Sequence, residues 1–163
     1  MSQYNLNEAS FDLHPGMKDR TVNQFILNDD GPSDFSFVIS RAEDFAESTV
    51  EAFAVRLATE LRKALPKFEL LRTADLLVDG SAAVELHYTW RNGDSEMHQR
   101  QIAVFVHAAP AQSKALLLTG TSHGPIKDEW NTAFETMVGS IRLHAPSPDA
   151  FLGEGSTRPT QEF

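Results

Sequence analysis

Two periodicities alternate along the chain. Over positions 82–107 apolar residues recur at every second place, first in VELHYTW and then in QIAVFVH, which is the spacing of β-strands. Asn92-Gly93, the strongest short hairpin signal, joins the two runs. With those two residues as the loop, Trp90 is expected to face Ser95, Tyr88 to face Met97, Leu86 to face Gln99 and Val84 to face Gln101. One face then carries Val84, Leu86, Tyr88, Trp90, Met97, Gln99, Gln101, Ala103 and Phe105. The other sets Glu85 opposite Arg100 and His87 opposite His98. Two amides in an apolar field need partners, or each costs roughly 1–3 kcal/mol. Water, a neighbouring side chain or the backbone of a bound peptide would serve. The face is thus either a half-wet sheet with solvated glutamines or a wall that grips an apolar peptide.

The remaining pattern fills in the elements. Positions 4–6 and 10–13 read as short strands at the sheet margin. Positions 21–28 alternate, with Val22, Gln24 and Ile26 on one face and Asn23, Phe25 and Leu27 on the other. Positions 34–41 place Phe35, Phe37 and Ile39 toward a core, and Ser36, Val38 and Ser40 toward water or a partner. Positions 48–65 switch to the helical period, with Val50, Phe53, Leu57, Leu61 and Leu65 on one stripe. Ser48 and Glu51 suggest a capping box, and Pro66 is the stop. Strands are expected at 68–78, 82–90, 95–107 and 114–121, with Asp79-Gly80 as a hairpin turn. A second helix at about 126–141 has Pro125 before it and Asp128 and Glu129 in its first turn. From position 145 the composition is Pro, Ser, Gly, Thr and charges, the signature of an extended polar tail. The order is strands, helix, four antiparallel strands, helix. It predicts an α+β fold, an antiparallel β-sheet with flanking helices, as one domain over 1–144 followed by a tail over 145–163.

Composition removes several classes. The 163 residues suit one core, and the formal charge of -9 without a Lys/Arg stripe argues against nucleic acid. With no cysteine there is neither a disulfide nor a thiolate metal site. No basic region followed by an apolar run opens the chain, and no apolar run approaches the ~20 residues that span a bilayer. A cytoplasmic protein is expected. Gly120-Thr121-Ser122-His123-Gly124 matches the G-x-S-x-G pattern of a serine hydrolase. That fold uses a mostly parallel sheet and the order Ser, acid, His. Here the one later histidine is His144, and the acids before it lie in the second helix, so the bland reading makes Ser122 a helix cap. His87 and His98 with Glu85 or Glu96 offer at most a weak metal site. No catalytic residue, metal or cofactor is expected.

An ordered set of segments carries a resemblance: Asp19-Arg20-Thr21-Val22-Asn23-Gln24-Phe25, Phe37-Val38-Ile39-Ser40-Arg41, Leu65-Pro66-Lys67-Phe68-Glu69-Leu70, Gly80, Tyr88-Thr89-Trp90 and Gln99-Arg100-Gln101. Over about 4–143 the chain resembles the DcrB-related Eag proteins, the effector-associated chaperones of the bacterial type VI secretion system. The resemblance implies a Mog1/PsbP-like α/β/α fold and a cytosolic homodimer without ATP or metal. It also implies a groove that holds the N-terminal hydrophobic helices of PAAR-containing, often Rhs, effectors until they load onto the VgrG spike. Carried over, the groove residues are Val22, Gln24, Val38, Leu57, Leu65 and Gln101, with Gln99 beside them. Gln24 and Leu57 depart from the family's pattern, the first where an apolar residue is expected and the second at a position that is polar in relatives. The competing reading of the same fold is an adaptor that meets a folded partner.

Overall fold

The computed structural model describes residues 1–106 and 113–144; the proposed tail at 145–163 lies outside the described residues. Eight strands and two helices follow in the expected order: β1 (Ser2–Asn5), β2 (Ser10–Leu13), β3 (Asn23–Ile26), β4 (Phe35–Glu43), α1 (Val50–Ala64), β5 (Glu69–Val78), β6 (Ser81–Asn92), β7 (Ser95–Phe105), β8 (Lys114–His123) and α2 (Asp128–Gly139). Strands β3 to β8 form one sheet in the order β3-β4-β8-β7-β6-β5. Every pairing is antiparallel. One helix lies on each face, giving an α/β/α sandwich with two cores. Phe35, Phe37, Ile102, Val104 and Leu118 pack with Phe134 and Val138 of α2. Val84, Leu86, Tyr88, Ala103 and Ala115 pack with Val50, Phe53 and Ala54 of α1.

Several expectations need correction. β1 and β2 are not at the sheet margin; they make a separate two-stranded sheet. The α1 cap is Thr49, whose hydroxyl accepts the Ala52 N–H at 3.2 Å, and not Ser48. Leu65 takes the extended conformation required before Pro66. α2 is shorter than expected, and its N-cap, Lys127, offers no side-chain bond. The hairpin register is shifted by two. The loop is Gly93-Asp94, with Gly93 at φ 63°, so a glycine opens a type II′ turn. Trp90 therefore faces Met97, Tyr88 faces Gln99, Leu86 faces Gln101, and His87 faces Arg100 rather than His98. A shift of two preserves which face each residue occupies.

The hydrolase-like motif is taken up by packing. Ser122 is buried inside β8, opposite Phe35 and His98, and is not the helix cap expected for it. A Cβ on Gly120 would lie 2.8 Å from Phe35 Cζ and 2.9 Å from Phe134 Cδ2. Gly120 is thus the gap through which α2 reaches the sheet. Gly124 has φ 82° and turns the chain toward α2.

Arg100 fastens the same helix. Its guanidinium bonds Glu85 at 2.8 Å, Asn131 at 3.0 Å and Glu135 at 3.1 Å, and lies 4.8 Å from the Phe134 ring centre. His87 shares this corner, and its Nε2 is buried with no partner among the described residues. Burial, and then the positive charge of Arg100, hold the imidazole below its ordinary pKa, while Glu85 opposes the shift.

Two outcomes follow for stability. Gly120→Ala should lower the urea midpoint by the equivalent of roughly 1–3 kcal/mol, because two ring edges must move. The second concerns pH. The unfolded chain protonates His87 near pH 6.5, and the folded chain does so only at lower pH. Stability from this residue is therefore full above about pH 6.5 and declines as pH falls below it. Urea midpoints at about pH 7.5 and about pH 5.5 should differ less for His87→Gln than for the parent.

Candidate functional site: a half-covered sheet face

On the α1 side the helix lies over β6 and β7 and over the adjoining ends of β8 and β4, where Ala115, Leu117 and Ala42 join its core, and it leaves β3 and the stretches around Ser36, Val38, Thr119 and Thr121 uncovered. Register aligns the predicted residues. Gln24 pairs with Val38, Val38 with Thr119, Thr119 with Gln101, and Gln101 with Leu86, so one row crosses five strands. The next row is Ile26, Ser36, Thr121, Gln99 and Tyr88. Gln24 is exposed, Val38 half-buried, and Thr119 and Gln101 buried, so the surface deepens from the β3 edge toward α1. Leu57, a residue of α1, is half-buried at the deep side. Val22 precedes β3 at the shallow side and is 54% exposed. Leu65 belongs to the cluster beneath α1 rather than to either strand row. Sequence reasoning placed Ser36 and Ser40 on a face toward water or a partner, but the expected groove list left them out together with the other small hydroxyls of the floor, Thr119 and Thr121. The Ser-Val-Ser alternation of β4 is their signal in the sequence, and it becomes a site only once β8 is known to lie beside it.

The two amides find partners within the wall. Tyr88 donates its hydroxyl to Gln101 Oε1 at 3.0 Å, and burial raises its pKa, which keeps it protonated. Trp90 Nε1 donates to Gln99 Oε1, and Gln99 Nε2 donates to Thr121 Oγ1 at 3.0 Å. Gln101 Nε2 makes no hydrogen bond among the described side chains and is not sealed from solvent. Both carbonyls are thus occupied in the empty molecule, and the amide nitrogen of Gln101 remains as a donor. No helix among the described residues is long and apolar enough to cross a membrane. Among them, no group of three or more His, Asp and Glu is placed to hold a metal ion.

An antiparallel sheet with one helix per face, one of those faces half-covered, defines the class. A model of the DcrB family matches residues 8–140, and the chain belongs to that family. Within it, the chain is one of the Eag chaperones of the type VI secretion system. It is 31% identical over 140 residues to "Effector EagT6" of Pseudomonas aeruginosa strain PAO1, a match covering 85% of this chain and 96% of that one. Among solved structures, a protein of unknown function from Pseudomonas aeruginosa, PA94, superposes with a TM-score of 0.71 at 26% identity, over 90% of this chain and 99% of that one. The PsbP protein of Synechocystis sp. PCC 6803 gives 0.49 at 14% identity, over 88% and 92%. These matches support the role of a type VI secretion effector-associated chaperone.

Removing the internal donor tests the amide geometry. Tyr88→Phe should destabilise the fold by about 1 kcal/mol, the net worth of one hydrogen bond, read from the urea midpoint. An unchanged midpoint would mean that this bond contributes nothing.

Proposed function

We propose that the chain holds the N-terminal transmembrane helices of a PAAR- or Rhs-type effector on the bare half of its α1-side sheet. On this reading it works in the cytoplasm as a homodimer, until the effector loads onto the VgrG spike. The observation that carries the reading is the asymmetry of β4: Phe35 and Phe37 are buried under α2, whereas Ser36, Val38 and Ser40 on the other face have no helix over them. A transmembrane helix in water exposes side chains worth about 1.5–3 kcal/mol each when buried. Val38, Ile26 and Leu117 supply apolar contact, the short hydroxyls let a helix approach closely, and Gln101 offers its free N–H. Val22, Gln24, Leu57, Leu65 and Gln99 complete the proposed lining.

The exposed edge of β3 supports the homodimer. The run Val22-Asn23-Gln24-Phe25-Ile26-Leu27 has no charge and no proline, and four of its six side chains are large, apolar and exposed. By contrast the opposite edge, β5, carries Glu69, Arg72, Asp75 and a bulge, which guard against strand addition. Two-fold pairing through β3 would bring two bare surfaces side by side and suit a client with two hydrophobic segments.

Co-purification of an effector fragment bearing its hydrophobic N-terminal helices tests the site. Val38→Asp should weaken capture by about tenfold or more, since an unpaired carboxylate would be buried. Leu77→Asp, on the far flank of α1, should leave capture unchanged. If Val38→Asp folds normally and still captures the fragment fully, the site is misplaced.

A further inference from the structure

Among the described residues, apart from the N-terminal arm and β3, the exposed large apolar residues are Val55, Leu71 and Leu77, all on or near the β5 flank of α1. Val55 is 69% exposed and Leu77 70% exposed. A crevice of about 370 Å³ lies on that flank, lined by Ala54, Val55 and Ala58 of α1, Leu70 of β5 and Val84 and Leu86 of β6. Thr73 and Asp75 also line it, and Leu77 continues the same side of β5 toward the turn at Asp79-Gly80. This crevice is separated from the proposed client surface by the body of α1.

We propose that the C-terminal segment 145–163 of this chain docks on this flank, with Phe151 and Leu152 covering Val55 and Leu77. The described chain ends at His144 near the β5–β6 turn: Leu143 packs against the α2-side core and its N–H donates to Asp79 Oδ2 at 2.8 Å, two residues from Leu77. Phe151-Leu152 is the one adjacent pair of large apolar residues in the segment, eight and nine positions past Leu143. Eight extended residues span up to ~26 Å, enough to round the hairpin tip. The DcrB match covers residues 8–140 and does not include the segment.

The other occupants fit less well. A volume at the low end of small-ligand cavities takes a pair of side chains rather than a helix. The charged, bulged β5 edge discourages a strand from a second copy. A tethered segment, in contrast, is present at an effective concentration on the order of millimolar. Docking there covers the second apolar flank of α1, so that the client surface is the side of the helix left open.

The chain has no cysteine, so an engineered pair reports on its own. In the full chain, Leu77→Cys with Leu152→Cys, and separately Val55→Cys with Phe151→Cys, should oxidise to a cross-linked monomer whose yield is unchanged on dilution. Failure of both pairs overturns the proposal. So does a covalent dimer that fades on dilution, which would mean that a second copy covers the flank. A complementary measurement avoids trapping a rare encounter. In the full chain carrying Phe151→Ser and Leu152→Ser, amide hydrogen exchange along 74–78 should run several-fold faster than in the parent, and unchanged exchange overturns the proposal.

Discussion

A single helix cannot cover a six-stranded sheet. The sheet is about 24 Å across from first strand to last, and a helix with its side chains is about 10 Å wide. Each face of this protein has one helix and must deal with the remainder differently. On the α2 side large rings join β3 and β4 to the helix: Phe35 stacks on Trp130 at 5.7 Å, Phe37 meets Phe134 edge-on at 5.9 Å, and Phe25 stacks on Phe37 at 6.1 Å. On the α1 side the same strands present Ser36, Val38, Ser40, Thr119 and Thr121. Short hydroxyls tolerate water, so that half of the face has no need of a cover of its own. The two faces of β4 therefore divide the molecule into a closed side and an open side.

Gly120 shows how strictly the closed side is built. Its missing Cβ is the space occupied by Phe35 and Phe134, and it is one of the two glycines that imitate a nucleophile motif. Spacing alone cannot separate a glycine needed for ring packing from one needed for a strained catalytic turn. The distinction lies in what occupies the neighbouring strand and helix. Ser122 is buried within β8, flanked in register by Phe35 and His98.

The sheet faces were legible because side-chain alternation has period two, and a register error of two residues leaves it intact. The pairs were not legible. The turn chemistry of Asn92-Gly93-Asp94 admits two loops, and Gly93 opens the turn rather than closing it. The polar partners of Gln99 and Gln101 were hidden for the same reason, since Trp90 and Tyr88 lie near them only in the true register. The row Gln24–Val38–Thr119–Gln101 joins residues far apart in the chain, and no local pattern reports that β8 inserts between β4 and β7. The resemblance to a family could name members of that row, but not the hydroxyl strip that connects them.

The hydrogen-bond state of the open side bears on what kind of segment suits it. The carbonyls of Gln99 and Gln101 are occupied internally and the Gln99 amide nitrogen is bound to Thr121, which leaves short hydroxyls and single amides, not a ladder of backbone groups, on the wall. An extended peptide laid there would bring unpaired N–H and C=O groups at every residue, and each one buried without a partner is unfavourable. A helix brings none along its length, because its backbone is satisfied internally. It asks only for apolar contact and close approach, which Val38, Ile26 and the hydroxyl strip supply. An extended strand finds its partners instead at the open edge of β3, where the backbone groups are unpaired. The molecule thus separates two kinds of recognition by place: under the proposed role, helices belong on the face and a second copy of the chain belongs at the edge.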